Sequence, residues 1–283
     1  MKLIKPSFTI IEQGSGIEGV YKQIEMAGRT CYKSEDKITE TSAKEFVDRM
    51  IKSGHGAMLE HGTVYLTIPY EPLSSASGPE RKYRYNKYSK VTCDETPIHG
   101  VAYITTNLRV LVENNWMNDL KYLSAPTESH ARRITVKFIL DNGIMREFTR
   151  HRVFSFACES TRYCNYSKSK FNSNVTYIIP CWSNLKECEI NTSDGFDFAA
   201  NEELVGFLGK AEQNYFYLLN KGWKPQQARN ILPLATKCEL VMTGFVDDWK
   251  HFFHLRTAAG AHPQARELAQ PLQEEFERRN YIN

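Results

Sequence analysis

"TRHRVFSFACESTRYCNYSKSKF", residues 149–171, sets Arg150, His151, Arg152 and Arg162 among Phe154, Ser155, Phe156, Ser160 and Tyr163. A helix that merely faced solvent has no need of the aromatic rings, and a plain core segment does not carry four potential cations. The pattern implies a negatively charged ligand, because arginine presents a planar fork of donors that matches phosphate. Just upstream, "ITVKFIL" (134–140) reads as a strand, "DNG" (141–143) as a turn and "IMREFTRHR" (144–152) as a helix running into the motif. On such a helix Arg146 and Arg150 share one side. Ser160 and Arg162, in an extended piece, point the same way and continue an anion cradle. The competing reading is a set of surface ion pairs to Glu147 and Glu159.

A second segment tilts the balance toward a ligand. "VDDWKHFFHLR" (246–256) places Trp249, Phe252, Phe253 and Arg256 on one helical face, so Arg256 ends an apolar stripe. It is either a C-terminal cation favoured by the helix dipole or a charge set against a flat ligand, where it polarises a carbonyl. A third piece, "QQARNILPL" (226–234), puts Arg229 one turn before the helix-ending Pro233.

The chain has 283 residues, 41% hydrophobic and 24% charged, enough for one large domain or two small ones. A net charge of +3 is too mild for a nucleic-acid coat protein, so any basic patch is local. No apolar run reaches the length of a bilayer, and "MKLIKPSFTI" lacks the stretch of a signal peptide. Seven cysteines, an odd number without a CxxC pair, point to reduced thiols in the cytoplasm. "HGAMLEH" (55–61) lacks the spacing of a zinc-protease helix, and no metal is expected.

Further helices are expected over 17–31 and 42–54, the second opened by a Ser42–Glu45 capping box before Phe46, Val47, Met50 and Ile51. "GTVYLTIP" (62–69) reads as a strand ending at Pro69. Residues 71–100 read as a turn-rich surface loop within an inserted or peripheral segment, 71–130, and residues 172–200 as irregular. Helices over 202–221, 224–232, 246–256 and 263–278 and a strand over 237–245 follow. There is no internal repeat. The fold class is α/β of the α+β type: one domain over 1–283, a mixed sheet with flanking helices and surface insertions.

"RHRVFSFACESTRY" resembles the signature of the flavin-dependent thymidylate synthases: Arg150-His151-Arg152, the spaced Ser155 and Ser160, then Arg162-Tyr163. "GHGAMLEH" (54–61), "ARNILPL" (228–234) and "WKHFFHLR" (249–256) fall in that family's order. The matched blocks cover residues 15–70, 134–180 and 203–278. The resemblance implies methylation of dUMP to dTMP, with FAD as cofactor, methylenetetrahydrofolate as carbon donor and NADPH as reductant. It also implies a homotetramer with shared active sites, and neither a membrane nor a nucleic-acid partner. Carried over by position, Arg256 activates the uracil ring. Glu147, Arg150, Cys158, Ser160, Arg162, Arg229 and Arg256 stand at dUMP-contacting positions. Ala57, Arg150, His151, Arg152, Cys158 and His251 stand at FAD-contacting ones.

Four positions depart from the family's pattern: Cys158 replaces a Glu or Gln, Glu147 a Gln, Ala57 a small hydroxyl and Phe245 a polar residue. Cys158 is read as a small packed hydrophobe rather than the nucleophile used by the unrelated folate-only synthases. The alternatives are a relative acting on another pyrimidine nucleotide, or a nucleic-acid-binding protein using "RHR" and "RKYRYNKYSK" (81–90).

Overall fold

The computed structural model describes residues 1–70, 78–95, 100–192 and 203–282. In chain order the N-terminal part holds β1 (Lys2–Ile4), β2 (Ser7–Ile11), α1 (Gly16–Tyr32), α2 (Ser42–Lys52), α3 (Gly56–Leu59) and β3 (Thr63–Tyr70). Next come α4 (Arg81–Arg84), β4 (Lys90–Glu95), β5 (Gly100–Asn107), α5 (Leu108–Glu113), β6 (Arg133–Asp141), α6 (Asn142–Phe148) and β7 (Ser155–Cys158). The remainder is β8 (Thr176–Ile178), β9 (Cys188–Glu189), α7 (Glu203–Asn220), α8 (Pro225–Ala228), β10 (Lys237–Phe245), α9 (Val246–Arg256) and α10 (Pro263–Arg278).

The central sheet runs β2-β6-β10-β7 and is antiparallel throughout. Strand alternation splits β10 into two faces. Cys238, Leu240 and Met242 join Ile134, Val136, Phe138 and Leu140 of β6 against α6, α9 and α10. There Phe148, Trp249, Phe252 and Phe276 form a buried aromatic core with edge-on contacts such as Phe148–Phe252 at 4.9 Å. On the other face, Val241 meets Ala157 of β7 and Ala27 of α1. Small residues let α1 lie close, and a Cβ at Gly28 would stand 2.4 Å from the Phe46 ring of α2.

A second sheet, β3-β5-β4, closes another core with α1, α2 and α5. A third, β8-β1-β9, contains a parallel β1–β8 pair and packs with α7 and α8.

Local expectations differ from the structure at several points. Ser42 is the first residue of α2 but makes no capping box; its Oγ accepts from Thr39 N and donates to Glu25 Oε2. Strand β3 runs through Pro69 to Tyr70, with Pro69 paired to Val101. The expected loop over 71–100 contains α4 and β4, and Tyr83 is fully buried with its hydroxyl donating to Asp119 Oδ2 at 2.6 Å; residues 71–77 and 96–99 lie outside the described residues. "DNG" is a helix start rather than a turn, since Asp141 Oδ1 accepts from Ile144 N at 2.8 Å. Strands β8 and β9 lie within the stretch expected to be irregular, of which residues 193–200 are outside the described part. Strands β1 and β2 carry too few residues for their periodicity to register in the sequence.

Candidate active site

Helix α6 stops at Phe148, so Arg146 lies on the helix and Arg150 in the turn beyond it; the two do not share a helical face. That turn places His151 under the aromatic core, with its ring 5.1 Å from Phe252 and only 8% exposed. Arg256 reaches across from the end of α9, its apolar neighbours Trp249, Phe252 and Phe253 all buried as the helical spacing requires. Its guanidinium is held at three points. Nε donates to His151 Nε2 at 2.9 Å, one terminal nitrogen to Glu147 Oε2 at 2.9 Å, and the other to Glu147 O at 2.7 Å. A guanidinium has five N–H donors, so two N–H remain for a ligand. Burial, and then the positive charge of Arg256, brings the His151 pKa down to about 4.

The neighbouring guanidinium of Arg150 is far more open, with its side chain 74% exposed and Glu147 Oε2 at 3.7 Å. Arg152, Val153 and His251 are exposed as well. Ala57 lies on the outer side of α3, next to Met58, which packs toward Ala157.

Downstream, Ser160 and Arg162 sit in a turn rather than an extended piece: the Ser160 carbonyl accepts from Tyr163 N and Cys164 N, each at 3.0 Å. The turn is tied to α1 through Ser160 N and Cys31 O at 3.1 Å. Arg162 lies over the Tyr163 ring at 5.3 Å. Glu159 takes no arginine; it is buried and pairs with Lys237 at 2.8 Å. Lys237 also pairs with Glu239, which Lys33 and Lys137 share, so Glu159 belongs to a structural ion network behind the turn. Desolvation, with a smaller contribution from Cys31, pushes the Cys158 thiol up to about 12. It stays a thiol at neutral pH and is no nucleophile as it stands.

Arg229 donates to Thr161 Oγ1 at 3.0 Å and lines a cavity of about 380 Å³ with Arg146, Asn142, Asn230, Met145 and Leu234. The lining includes no Asp or Glu. Arg146 was legible in the sequence only as a helix-face neighbour of Arg150. Its proximity to Arg229, 83 positions away by the numbering, has no local signal.

Two guanidiniums facing an acid-free cavity, and a third clamped against an imidazole, form an arrangement chemically suited to a small organic anion. Residues 120–279, more than half of the chain, match the profile of the family described as "Thymidylate synthase complementing protein". A flavin-dependent thymidylate synthase from Corynebacterium glutamicum is 24% identical over 261 residues, covering 92% of this chain and 76% of that protein. One from Corynebacterium diphtheriae is 31% identical over 135 residues, 46% of this chain and 51% of that one. The solved structure of a UMP/dUMP methylase PolB from Streptomyces cacaoi aligns with a TM-score of 0.45 at 14% identity, covering 98% of this chain and 93% of that chain. The chain belongs to the family of flavin-dependent thymidylate synthases.

Among the described residues no helix is long and apolar enough to cross a membrane, and no cluster of three or more His, Cys, Asp or Glu could hold a metal ion.

Proposed function

We propose that this protein methylates dUMP to dTMP, taking the carbon from methylenetetrahydrofolate and the reducing equivalents from NADPH through FAD. The observation that carries the reading is the three-point anchoring of Arg256 with two N–H left over. Uracil becomes nucleophilic at its C5 only as negative charge builds on the N3–C4–O4 edge. A guanidinium that cannot swing away stabilises that charge, an effect worth about 3–4 kcal/mol for one well-placed donor.

Arg229 and Arg146 bind the phosphate in the acid-free cavity, with Ser160 and Arg162 on the adjoining turn, while Arg150 spans nucleotide and flavin. The FAD-contacting set is Arg150, His151 and Arg152 with His251, Ala57 and Cys158. These residues fit a flavin nucleotide: the guanidinium of Arg150, still 74% exposed beside Glu147 at 3.7 Å, and the exposed Arg152 suit its diphosphate, and the apolar and imidazole surface suits its ring. FAD, when bound, supplies the hydride chemistry. Cys158 takes no part as a nucleophile, since its thiol is protonated. The assembly is a homotetramer of cytoplasmic protein in which subunits complete one another's sites.

Release of tritium from 5-tritiated dUMP, in the presence of methylenetetrahydrofolate, NADPH and FAD, tests the reading. No release from a folded, FAD-loaded protein overturns it. 5-Tritiated UMP run alongside reports whether another pyrimidine nucleotide is the substrate.

A further inference from the structure

Arginine has no acceptor and keeps its protons, so a guanidinium N–H at hydrogen-bond distance from a ring nitrogen dictates the state of that nitrogen. Arg256 Nε stands 2.9 Å from His151 Nε2. The imidazole nitrogen must offer a lone pair, the ring must be neutral, and its one proton must sit on Nδ1. Two contacts hold the guanidinium in that pose, one to the Glu147 carboxylate and one to the Glu147 carbonyl. The carbonyl belongs to the last turn of α6, so the helix itself sets its direction.

His151 has little freedom to escape. Its backbone N–H donates to Phe148 O at 3.1 Å, and its ring lies among Phe252, Phe154 and His251 at 5.1, 6.4 and 6.3 Å. Of the titratable and charged groups facing it, Arg256, His251 and Arg150 oppose a second proton and only Glu147 favours one. No described residue accepts from Nδ1, which keeps contact with solvent.

We propose that Glu147 and Arg256 act as a proton-position lock on His151, making the ring an obligate hydrogen-bond donor through Nδ1 to a carbonyl or anionic oxygen of the bound ligand and removing it from proton transfer. Arg256 is then a positioning residue for His151 as well as a donor in its own right. Glu147, where the family's pattern has an amide, serves as an ionic anchor for the guanidinium. The lock follows from the contacts alone; only the identity of the oxygen that receives the bond rests on the proposed function.

Histidine-selective 15N labelling, with His151 assigned through His151→Gln, reads tautomer and titration directly. The expected spectrum is that of a neutral ring protonated at Nδ1 and unchanged between about pH 8 and 5. In Arg256→Met the Nε2-protonated form appears and the titration midpoint rises toward about 6.5. A wild-type ring that titrates near that value, or carries its proton on Nε2, overturns the lock. If Arg256→Met does not fold, the wild-type spectrum still decides.

The donor role has its own readout. An asparagine amide lies near the place of Nδ1 and a glutamine amide near that of Nε2, so His151→Asn should bind FAD about tenfold more tightly than His151→Gln. Equal affinities overturn the donor role. Absence of tritium release with the expected spectrum would discard the proposed reaction and leave the lock standing.

Discussion

The two arginine sites flanking α6 are built on opposite plans. On one side Arg256 is anchored at three points, with two N–H left over, and its partner histidine is held neutral. On the other, Arg146 and Arg229 face a cavity whose lining offers no carboxylate, and among the described residues Thr161 is the side chain that Arg229 bonds there. The first arrangement spends protein contacts to hold a charge in one orientation. The second leaves charge unsatisfied so that an incoming anion completes it. A guanidinium that must polarise a ring gains from rigidity, whereas one that must capture a phosphate gains from being unpaired.

The most severe way to break this contrast is to change the rigid side. Arg256→Lys keeps the charge but loses the fork, and with it at least one of the bonds to His151 and Glu147. Turnover is expected to fall by about 10²–10³-fold in the tritium-release assay, with fold and FAD content retained. A variant within threefold of wild type would remove Arg256 from ring activation.

On the open side the loss should appear in binding. Arg229→Ala and Arg146→Ala are each expected to weaken dUMP by about 1.5–3 kcal/mol in calorimetry, leaving FAD bound. The double variant should lose less than the sum, because both arginines act on one phosphate. Arg162→Ala, whose guanidinium lies over Tyr163, should lose less than either. Strict additivity would mean that Arg146 and Arg229 serve different groups.

Acid sharpens the comparison in another way. His61, buried with Nδ1 bonded to Thr243 Oγ1 at 2.8 Å, has a pKa lowered to about 3, and His151 one lowered to about 4, burial being the first cause in both. Both values lie below the ordinary value of about 6.5, so the unfolded chain takes up protons first as pH drops. Their contribution to stability is complete above pH 6.5 and is lost as pH falls through that value toward 4 and 3. The denaturant midpoint should therefore decline steadily from pH 6.5 to 4. A flat profile would show that neither ring is held neutral by the fold.

The smallest effect is expected at Cys158. Cys158→Ser nearly conserves volume, and no covalent adduct is needed, so stability should fall by less than about 1.5 kcal/mol and turnover should remain substantial. Abolished turnover in a folded, FAD-loaded variant would point to a nucleophilic mechanism instead.

What was legible in the sequence follows from local periodicity and from the motif. The stripe of Trp249, Phe252 and Phe253 marked α9 and its buried face, because a helix repeats every 3.6 residues whatever it packs against. The alternation in "ITVKFIL" likewise marked β6, and the RHR signature identified the family before any geometry was known. Helix ends were less legible: α6 stops at Phe148 and the Ser160–Arg162 segment turns back, since both are set by bonds to distant groups such as Cys31 O. The partners of Arg256 lie 105 and 109 positions away, and Arg146 meets Arg229 because the segment between α8 and β10 is tied to the start of α6, where Asn142 N donates to Leu234 O at 2.9 Å. The sequence alone determined which side chains carry charge and which helical face is apolar. Tertiary structure alone decided which charges are neutralised, which ring nitrogen holds a proton, and where charge is left for a ligand. Those outcomes depend on distances of a few ångströms between segments, and Coulomb and hydrogen-bond energies at such distances have no counterpart in residue order.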